Sequence, residues 1–307
     1  GEGVLLGNLR YLTEEVSTFE NYVKLDPIQM QDTYLVRNLA PLCDYYINDA
    51  FAAAHRSSPS MIGFQEILPS AGGRLLIAEV NALLKIMKTP IRPLIFVLGG
   101  AKASDAFSMM KQVLQNGIAD KILCCGIIGE IMLLAKGIPL GVTTESFIKD
   151  KGFDIFVKQA KEYLKDYFEK IHIPVDLAYE EDGIRREIIV EDLPQNEMFM
   201  DIGKKTISNY EKMLENAGTI FANGPAGVYE NKLFQEGTKR IFNAIAKAEG
   251  YSVIGGGDTV SAASKFIQIN EVDHISTAGG AMINFLSGKK LPLIDAMEKP
   301  YERIYIG

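Results

Sequence analysis

PLIFVLGG (Pro93–Gly100) is the stretch that decides the fold class of this sequence, because it is a continuous apolar run that stops at two glycines. An apolar run of this length is typical of a strand buried on both faces of a parallel sheet. The segment that follows, Ser104–Asn116, has helical spacing of its apolar residues and stops at Asn116-Gly117. A buried strand followed directly by a helix is the unit of an α/β fold.

The same unit recurs toward the end of the chain. Further short strands are predicted at KILCCG (Lys121–Gly126), MFMDIG (Met198–Gly203), GTIFANG (Gly218–Gly224), YSVIGGG (Tyr251–Gly257) and HISTAGG (His274–Gly280). Asp182-Gly183, between LAYEED and IRREIIV, predicts a tight hairpin. The alternation predicts a mainly parallel sheet with helices on both faces, whose ligands bind beyond the carboxyl ends of the strands.

Composition limits the classes of function. The chain has 307 residues, enough for two domains, and 32 Lys and Arg against 39 Asp and Glu give a formal charge of −7. Such a balance provides no basic surface for nucleic acid. No membrane-spanning apolar run or signal peptide is present, so no membrane partner is expected. Cys43 and the adjacent Cys124 and Cys125 lack metal-ligand spacing and are interpreted as free thiols of a reducing cytoplasm.

The front of the chain has a different pattern. Residues 1–71 suggest a few strands and turns, too few for a full domain. GGRLLIAEVNALLKIMKTP (Gly72–Pro90) predicts one long apolar helix, which would be either a connector between two halves or an ordinary core helix. Arg10 and Arg56 could each bind a phosphate or carboxylate through two hydrogen bonds, or could be ordinary surface arginines.

Glycine-rich turns follow several predicted strands. Gly99-Gly100-Ala101-Lys102 combines close backbone approach with a positive charge, although a solvated lysine after a plain turn would have the same sequence. Asn223–Glu230 places an amide and a carboxylate around a tight bend, which suits a sugar hydroxyl or a base edge. Ser276–Ala281 is another glycine turn that precedes a predicted helix. Its sequence fits an ordinary helix start as well as it fits a ligand contact.

Gly255-Gly256-Gly257-Asp258-Thr259 is the strongest local signal. Three consecutive glycines are entropically costly, and their amides precede a helix, where anions bind. Asp258 or Thr259 could cap that helix. A carboxylate beside a polyphosphate is also the usual means of binding Mg²⁺, so both roles are compatible. The sequence has no pattern of a nucleophilic catalytic triad.

Taken together and in order, seven strings resemble phosphoglycerate kinase of the archaeal-type branch, over essentially the whole chain. They are GNLRYLTEE (Gly7–Glu15), NDAFAAAHR (Asn48–Arg56), GGAK (Gly99–Lys102), DIGKKT (Asp201–Thr206), ANGPAGVYE (Ala222–Glu230), GGGDT (Gly255–Thr259) and STAGGA (Ser276–Ala281).

The resemblance implies two Rossmann-like domains, joined by a long helix and a hinge, that close around the ligands. It implies reversible phosphoryl transfer between 1,3-bisphosphoglycerate and ADP, giving 3-phosphoglycerate and ATP with Mg²⁺, in a cytoplasmic monomer or homodimer. Such transfer needs positioning and charge neutralisation more than a nucleophilic side chain.

The resemblance also implies roles for individual residues. Arg10, His55 and Arg56 would bind the glycerate ligand, Asp258 would bind Mg²⁺ and Glu230 would contact the ribose. The implied catalytic residues are Lys102, Gly255, Gly256 and Gly257. The implied nucleotide-binding residues are Gly99, Gly100, Ala101, Lys102, Gly126, Gly203, Asn223, Pro225, Glu230, Gly255, Gly256, Gly257, Asp258 and Thr259.

On this basis the expected organisation has four segments. They are the remainder of a phosphoglycerate-binding domain at 1–72, an interdomain helix at 73–90, a nucleotide-binding domain at 91–290 and a returning carboxyl-terminal segment at 291–307. The first half of the amino-terminal domain, with its further Arg and His residues, is expected to be missing. The chain alone is therefore expected to bind nucleotide weakly and to turn over little.

Two positions depart from the family pattern. Ala106 stands where many members have a second lysine, and Ala222 stands where the pattern has Trp. The alternatives are a truncated, non-catalytic nucleotide-binding module and a dehydrogenase. The dehydrogenase is disfavoured because the GGAK turn lacks the GxGxxG spacing.

Overall fold

The computed structural model describes residues 3–305, and the side chains of residues 3–298. It contains two compact units, Gly1–Asn81 with Gly288–Gly307 and Ala82–Ser287. Among the described residues, no helix is both long and apolar enough to cross a membrane.

The described strands are β1 (Tyr46–Asn48), β2 (Ser70–Gly72), β3 (Leu94–Leu98), β4 (Lys121–Cys124), β5 (Ile171–His172), β6 (Asp176–Glu181), β7 (Ile184–Ile189), β8 (Phe199–Ile202), β9 (Thr219–Asn223), β10 (Tyr251–Gly255) and β11 (His274–Ser276). The described α-helices are α1 (Ser17–Tyr22), α2 (Pro27–Met30), α3 (Tyr34–Leu39), α4 (Pro59–Ile62), α5 (Arg74–Lys88), α6 (Ala103–Gln115), α7 (Gly126–Ala135), α8 (Val142–Asp150), α9 (Ile155–Tyr167), α10 (Lys204–Glu215), α11 (Glu236–Lys247), α12 (Gly257–Ala263), α13 (Gly279–Leu286) and α14 (Pro292–Tyr305).

The first unit consists mostly of short helices, with the parallel pair β1–β2 as its described sheet. The expectation of a few strands and turns is thus partly wrong. LLGNLRYL contains a 3₁₀ turn, Leu9–Tyr11, which is capped because Asn8 Oδ1 accepts a hydrogen bond from the backbone N–H of Arg10. From α14, Leu293 is buried and its N–H donates to the Ala54 carbonyl at 3.2 Å, which joins the carboxyl-terminal helix to this unit.

The second unit is built on the six-stranded sheet β11-β10-β9-β3-β4-β5, in which every pair is parallel. The predicted parallel sheet is therefore confirmed. Ile95 and Val97 of β3 share a buried cluster with residues of α10, α11 and α12. The alternate residue Phe96 contacts Phe221 on the opposite face, where Met282 of α13 also packs. Helices thus cover both faces, because strand side chains alternate.

The strands of this sheet end in register. Leu98 pairs with Asn223, Asn223 with Gly255, and Gly255 with Ser276. On the other side, Leu98 pairs with Cys124. Since each of these residues is the last of its strand, the loops that follow all begin at one edge of the sheet.

A separate antiparallel sheet, β7-β6-β8, lies outside this parallel series. The predicted hairpin is confirmed, with Asp182 and Gly183 at φ of 52° and 75°, the left-handed pair that a tight turn requires. MFMDIG forms β8 of this small sheet rather than a strand of the parallel sheet, because β8 pairs with β6. Its Asp201 is fixed by Arg185 of β7, whose Nη1 lies 2.8 Å from Oδ2.

Candidate functional site

A cavity of about 390 Å³ lies at the shared carboxyl edge of the parallel sheet. It is lined by the turns after β3, β4, β9, β10 and β11 and by part of β8. Of the predicted nucleotide-binding residues, those lining it are Gly99, Gly100, Ala101, Lys102, Gly126, Asn223, Pro225, Glu230, Gly256, Gly257, Asp258 and Thr259. The structure thus brings four separate sequence motifs to one concave site.

The turn after β3 packs directly on the turn after β9. The N–H of Gly100 donates to the Pro225 carbonyl at 2.7 Å, and the N–H of Gly99 donates to the Asn223 carbonyl at 2.9 Å. A Cβ on Gly99 would lie 2.4 Å from the Pro225 carbonyl oxygen, so no larger residue fits there. The glycines are therefore required for the approach of two backbones at the wall of the cavity.

The turn after β10 is tied to the same wall through side chains. Asn223 Nδ2 donates to the Gly255 carbonyl at 2.7 Å, and the N–H of Gly224 donates to Thr259 Oγ1 at 2.7 Å. Gly256 has a φ of 94°, which favours glycine. Among the described residues, nothing lies within 4 Å of a Cβ built on Gly257, so the backbone there is open to a ligand.

Lys102 and Asp258 form an ion pair across this opening, with Nζ 2.9 Å from Oδ2. Both side chains are about two-thirds exposed, at 68% and 71%. The hydrogen bond to Asp258 raises the pKa of Lys102 above its ordinary value, so the ammonium stays charged. An exposed pair of this kind contributes little to stability. Its two charges are available to a ligand that brings a cation and an anion together.

The groups at this opening could bind a magnesium ion only together with ligand oxygens. No cluster of three or more His, Cys, Asp or Glu able to hold a metal occurs in the described part of the chain. Mg²⁺ commonly binds through one or two carboxylates together with substrate phosphates and water. Asp258 supplies one exposed carboxylate beside the open Gly257 backbone, so the residues fit a metal that arrives with a nucleotide.

Apolar side chains also line the cavity. Ile127, Phe147, Met198 and Phe199 line it, from α7, α8, the segment before β8, and β8 itself. Glu130 of α7 also lines it and is 4% exposed. Burial raises the pKa of the Glu130 carboxyl to about 8.

Two of the predicted nucleotide-binding residues do not line the cavity. A Cβ on Gly203 would lie 2.2 Å from the Asp176 carboxyl carbon, so this glycine allows α10 to approach β6. A Cβ on Gly255 would lie 2.1 Å from the Met282 sulfur, so this glycine allows α13 to pack on β10. In both cases packing is sufficient reason for the glycine.

The predicted residues of the first unit gather separately. Arg10 Nη2 and Arg56 Nη2 donate to the Ser17 hydroxyl at 3.1 and 3.4 Å, and Arg56 forms an ion pair with Glu20. His55 is partly buried, and within the described part of the chain its Nδ1 has no hydrogen-bond partner. Burial lowers the pKa of His55, which favours the neutral imidazole. Two guanidinium groups thus meet at one hydroxyl, and Glu20 balances the charge of Arg56.

Sequence reasoning missed several residues that line the cavity. They are Asp105, Ile127, Glu130, Phe147, Met198, Phe199, Met200, Val228, Tyr229 and Ile283. A sequence signal existed for Glu130, because it is the one acid in the apolar helix GIIGEIMLLA. For the apolar residues no such signal existed, since their spacing is that of ordinary core residues.

Comparison with known proteins gives one consistent result. The family model described as phosphoglycerate kinase matches residues 1–289. The chain is 45% identical to the phosphoglycerate kinase of Methanothermobacter thermautotrophicus, covering 97% of this chain and 71% of that protein. It is 43% identical to that of Methanococcus maripaludis, covering 99% and 73%. The crystal structure of phosphoglycerate kinase from Pyrococcus horikoshii superposes with a TM-score of 0.86 at 40% identity, covering 96% of this chain and 72% of that one.

Proposed function

We propose, from the premise that the chain belongs to the phosphoglycerate kinase family, that its sheet-edge cavity binds the magnesium nucleotide of that reaction. The activity of the family is phosphotransfer to a carboxyl group, reversibly between 1,3-bisphosphoglycerate and ADP, giving 3-phosphoglycerate and ATP. We place the enzyme in the cytoplasm, in keeping with this glycolytic reaction and with its three free cysteines.

The observation on which this proposal rests is the register of the strand ends. Leu98, Asn223, Gly255 and Ser276 are neighbours across the sheet, so the four glycine-rich turns that follow them surround one cavity. Lys102 and Asp258 face each other over the open backbone of Gly257. A polyphosphate bound there would meet backbone amides, an ammonium group and a carboxylate that can hold a metal.

We assign the transfer step to electrostatics rather than to a nucleophile. Lys102 would neutralise charge on the transferring phosphoryl group, and the amide of Gly257 would hold one of its oxygens. The N–H of Gly256 donates to the Ser276 carbonyl at 2.9 Å, so Gly256 is assigned to the shape of the turn. The open space above Gly257 lets an oxygen approach its backbone closely. Gly255 is assigned an indirect contribution, since it packs α13 against β10 and so positions this turn.

Asp258 would hold Mg²⁺ together with the nucleotide phosphates. The ion supplies charge neutralisation and orientation of the phosphates when bound. The Asp258 carboxylate has a second oxygen beside the one that faces Lys102, and both side chains are exposed, so Asp258 could hold the ion while Lys102 faces the terminal phosphate.

Other residues of the cavity are assigned to the nucleoside and to the walls. Glu230 is exposed at the rim, which suits a hydrogen bond to a ribose hydroxyl. The Asn223 amide and the Thr259 hydroxyl hold neighbouring turns together. Their mutation would therefore act on the shape of the site as well as on ligand contact.

We assign the glycerate ligand to the first unit. Arg10 and Arg56 both reach the Ser17 hydroxyl, so their guanidinium groups are close enough to bind one anion. His55 lies next to Arg56 in the chain and is kept in its neutral form by burial. The division into a glycerate-binding part at 1–72, a helix at 73–90, a nucleotide-binding part at 91–290 and a returning segment at 291–307 is part of the same proposal.

The experiment that tests the proposal is calorimetric titration of the chain with ADP, with and without Mg²⁺. We expect Mg²⁺ to strengthen ADP binding in the wild type and to lose most of this effect in Asp258→Asn. Asp105→Asn is the matched control, because Asp105 also lines the cavity but is not assigned to the metal. Equal Mg²⁺ dependence in wild type and Asp258→Asn would contradict the assignment, and absence of ADP binding by the wild type would contradict the proposed site itself.

A further inference from the structure

Glu130 is a buried acid in an apolar helix. It is 4% exposed, and among the described residues its Oε2 atom has no hydrogen bond. The rest of α7, GIIGEIMLLA, is apolar. A buried polar atom without a partner is unfavourable, so its presence needs an explanation beyond packing.

Glu130 lies on the same face of α7 as Gly126, which contacts the glycine turns. Gly126, Ile127 and Glu130 all line the cavity, and their spacing puts them on one face of the helix. The N–H of Gly126 donates to the Ala226 carbonyl at 3.0 Å, and a Cβ on Gly126 would lie 3.0 Å from the Gly100 backbone nitrogen. Glu130 is one helical turn, about 6 Å, farther along the wall from that contact.

The cavity lining thus contains two chemically different sets of residues. One has the charges of Lys102 and Asp258 and the open backbone of Gly257. The other has the side chains of Ile127 and Phe199, with Glu130 among them. If the phosphates of a nucleotide contact the charged set, as the proposed function holds, its base must contact the apolar set. The present inference rests on that proposed function.

The chemistry of a buried carboxyl fits one kind of base edge. Burial raises the pKa of Glu130 to about 8, so near pH 7 the acid form predominates. A carboxylic acid offers one O–H donor and one carbonyl acceptor. Adenine presents an exocyclic amino donor next to a ring-nitrogen acceptor, which is the complementary pair.

We propose that Glu130 is a specificity-determining residue whose carboxyl group hydrogen-bonds the adenine edge that bears the exocyclic amino group. The bond would satisfy Oε2 when the nucleotide is bound. It would also explain the acid in an otherwise apolar helix, at a position that faces the ligand rather than the core.

The test compares two ligands in calorimetric titrations, Mg²⁺-ADP and the Mg²⁺ complex of purine riboside 5′-diphosphate, which lacks the exocyclic amino group. We expect the wild type to bind ADP about 10-fold more tightly than the analogue, the effect of one hydrogen bond in a desolvated site. In Glu130→Leu the preference should fall to about 2-fold or less. In Glu130→Gln, which keeps an acceptor for the amino group, most of the preference should remain.

Glu215→Leu is the control, because Glu215 is an exposed residue at the end of α10 and does not line the cavity. Glu130→Met, with an unbranched side chain of similar length, takes the place of Glu130→Leu if that variant does not fold. A preference for ADP that is undiminished in the apolar variants would overturn the inference while leaving the nucleotide site intact. A wild type that binds neither ligand would instead overturn the proposed function, and this inference with it.

Discussion

At the scale of single residues, Lys102 is a cation that lines the cavity, and we assign it to the nucleotide phosphates. It is held there by Asp258, at 2.9 Å, and by its position immediately before α6. Ala106, where the family pattern often has a second lysine, is buried at 1% exposure and belongs to the core side of α6. Alanine supplies no charge at that position, so Lys102 is the one lysine of this pattern that the chain retains.

The first prediction concerns this lysine. Lys102→Ala should weaken binding of Mg²⁺-ATP about 10-fold and that of Mg²⁺-ADP less than about 3-fold, because the ammonium is assigned to the terminal, transferable phosphate. Calorimetric titration with both nucleotides measures the difference. Lys111→Ala, an exposed lysine on the same helix, makes the same change in net charge and should have no effect. Equal losses for ATP and ADP would show that Lys102 does not distinguish the terminal phosphate.

The second prediction concerns the buried acid and pH. The pKa of Glu130 is about 8 in the folded chain against an ordinary value of 4.5. The folded state therefore keeps a proton that the unfolded state loses above about pH 4.5. The stability due to the protonated form is complete below about pH 4.5, declines between the two values, and is lost above about pH 8.

Glu130→Gln cannot ionise and should escape this loss. Its melting temperature minus that of the wild type should therefore rise between pH 5 and pH 8.5, by roughly 5 °C. Thermal unfolding followed by circular dichroism across this range measures it. Other titrating groups are common to both proteins and cancel in the difference. A difference that stays constant with pH would mean that Glu130 is solvated or paired.

At the scale of elements, the strands of the parallel sheet are joined to their helices by turns that touch one another. Gly224 has a φ of 87°, and a Cβ there would lie 2.1 Å from the Gly99 carbonyl oxygen. Gly137, after α7, has a φ of 88° with no described atom within 4 Å of such a Cβ. The two glycines share a backbone conformation and differ in their surroundings.

The third prediction uses this pair. Gly137→Ala should lower the free energy of unfolding by about 1 kcal/mol, the strain of alanine at positive φ. Gly224→Ala should lower it by about 3 kcal/mol or more, since it adds a collision with backbone, and it should also weaken Mg²⁺-ADP binding. Denaturant unfolding and nucleotide titration measure the two effects. Equal costs at the two positions would mean that the turns after β3 and β9 can separate freely.

At the scale of the whole molecule, the chain has two compact units with their own buried residues. The nucleotide assignment falls entirely in residues 82–287, and the glycerate assignment falls in residues 3–81. The ligand-dependent changes of the two units should therefore be separable in one experiment on the intact chain.

The fourth prediction follows from this division. Mg²⁺-ADP should slow amide hydrogen exchange at least about 3-fold in residues 99–102, 223–227 and 255–259, because a ligand that binds the folded state opposes local opening. Residues 3–72 should be unchanged by Mg²⁺-ADP. With 3-phosphoglycerate, amide exchange should instead slow in residues 8–20 and 55–60. The factor by which it slows should be smaller than with Mg²⁺-ADP. Helix α9 lines no part of the cavity and is the internal control. Protection by Mg²⁺-ADP confined to the first unit would contradict the assignment.

The sequence by itself was sufficient for the local features of this protein. The apolar run before Gly99-Gly100 and the glycines at 255–257 predicted strands that end in ligand-binding turns, and Asp182-Gly183 predicted the hairpin. These features depend on neighbouring residues, through side-chain alternation and through the φ values that glycine permits. The ordered motifs predicted the family for the same reason, since they can be recognised without knowing what lies beside them.

The tertiary structure decided which of these turns meet and what surrounds them. The pairing of β8 with β6, the packing that accounts for Gly203 and Gly255, and the apolar wall around Glu130 had no reliable local signal. Strand register and core packing join residues far apart in the chain, so many arrangements share the same local pattern. The composition of the cavity is therefore a property of the folded sheet edge, formed where five strands end side by side.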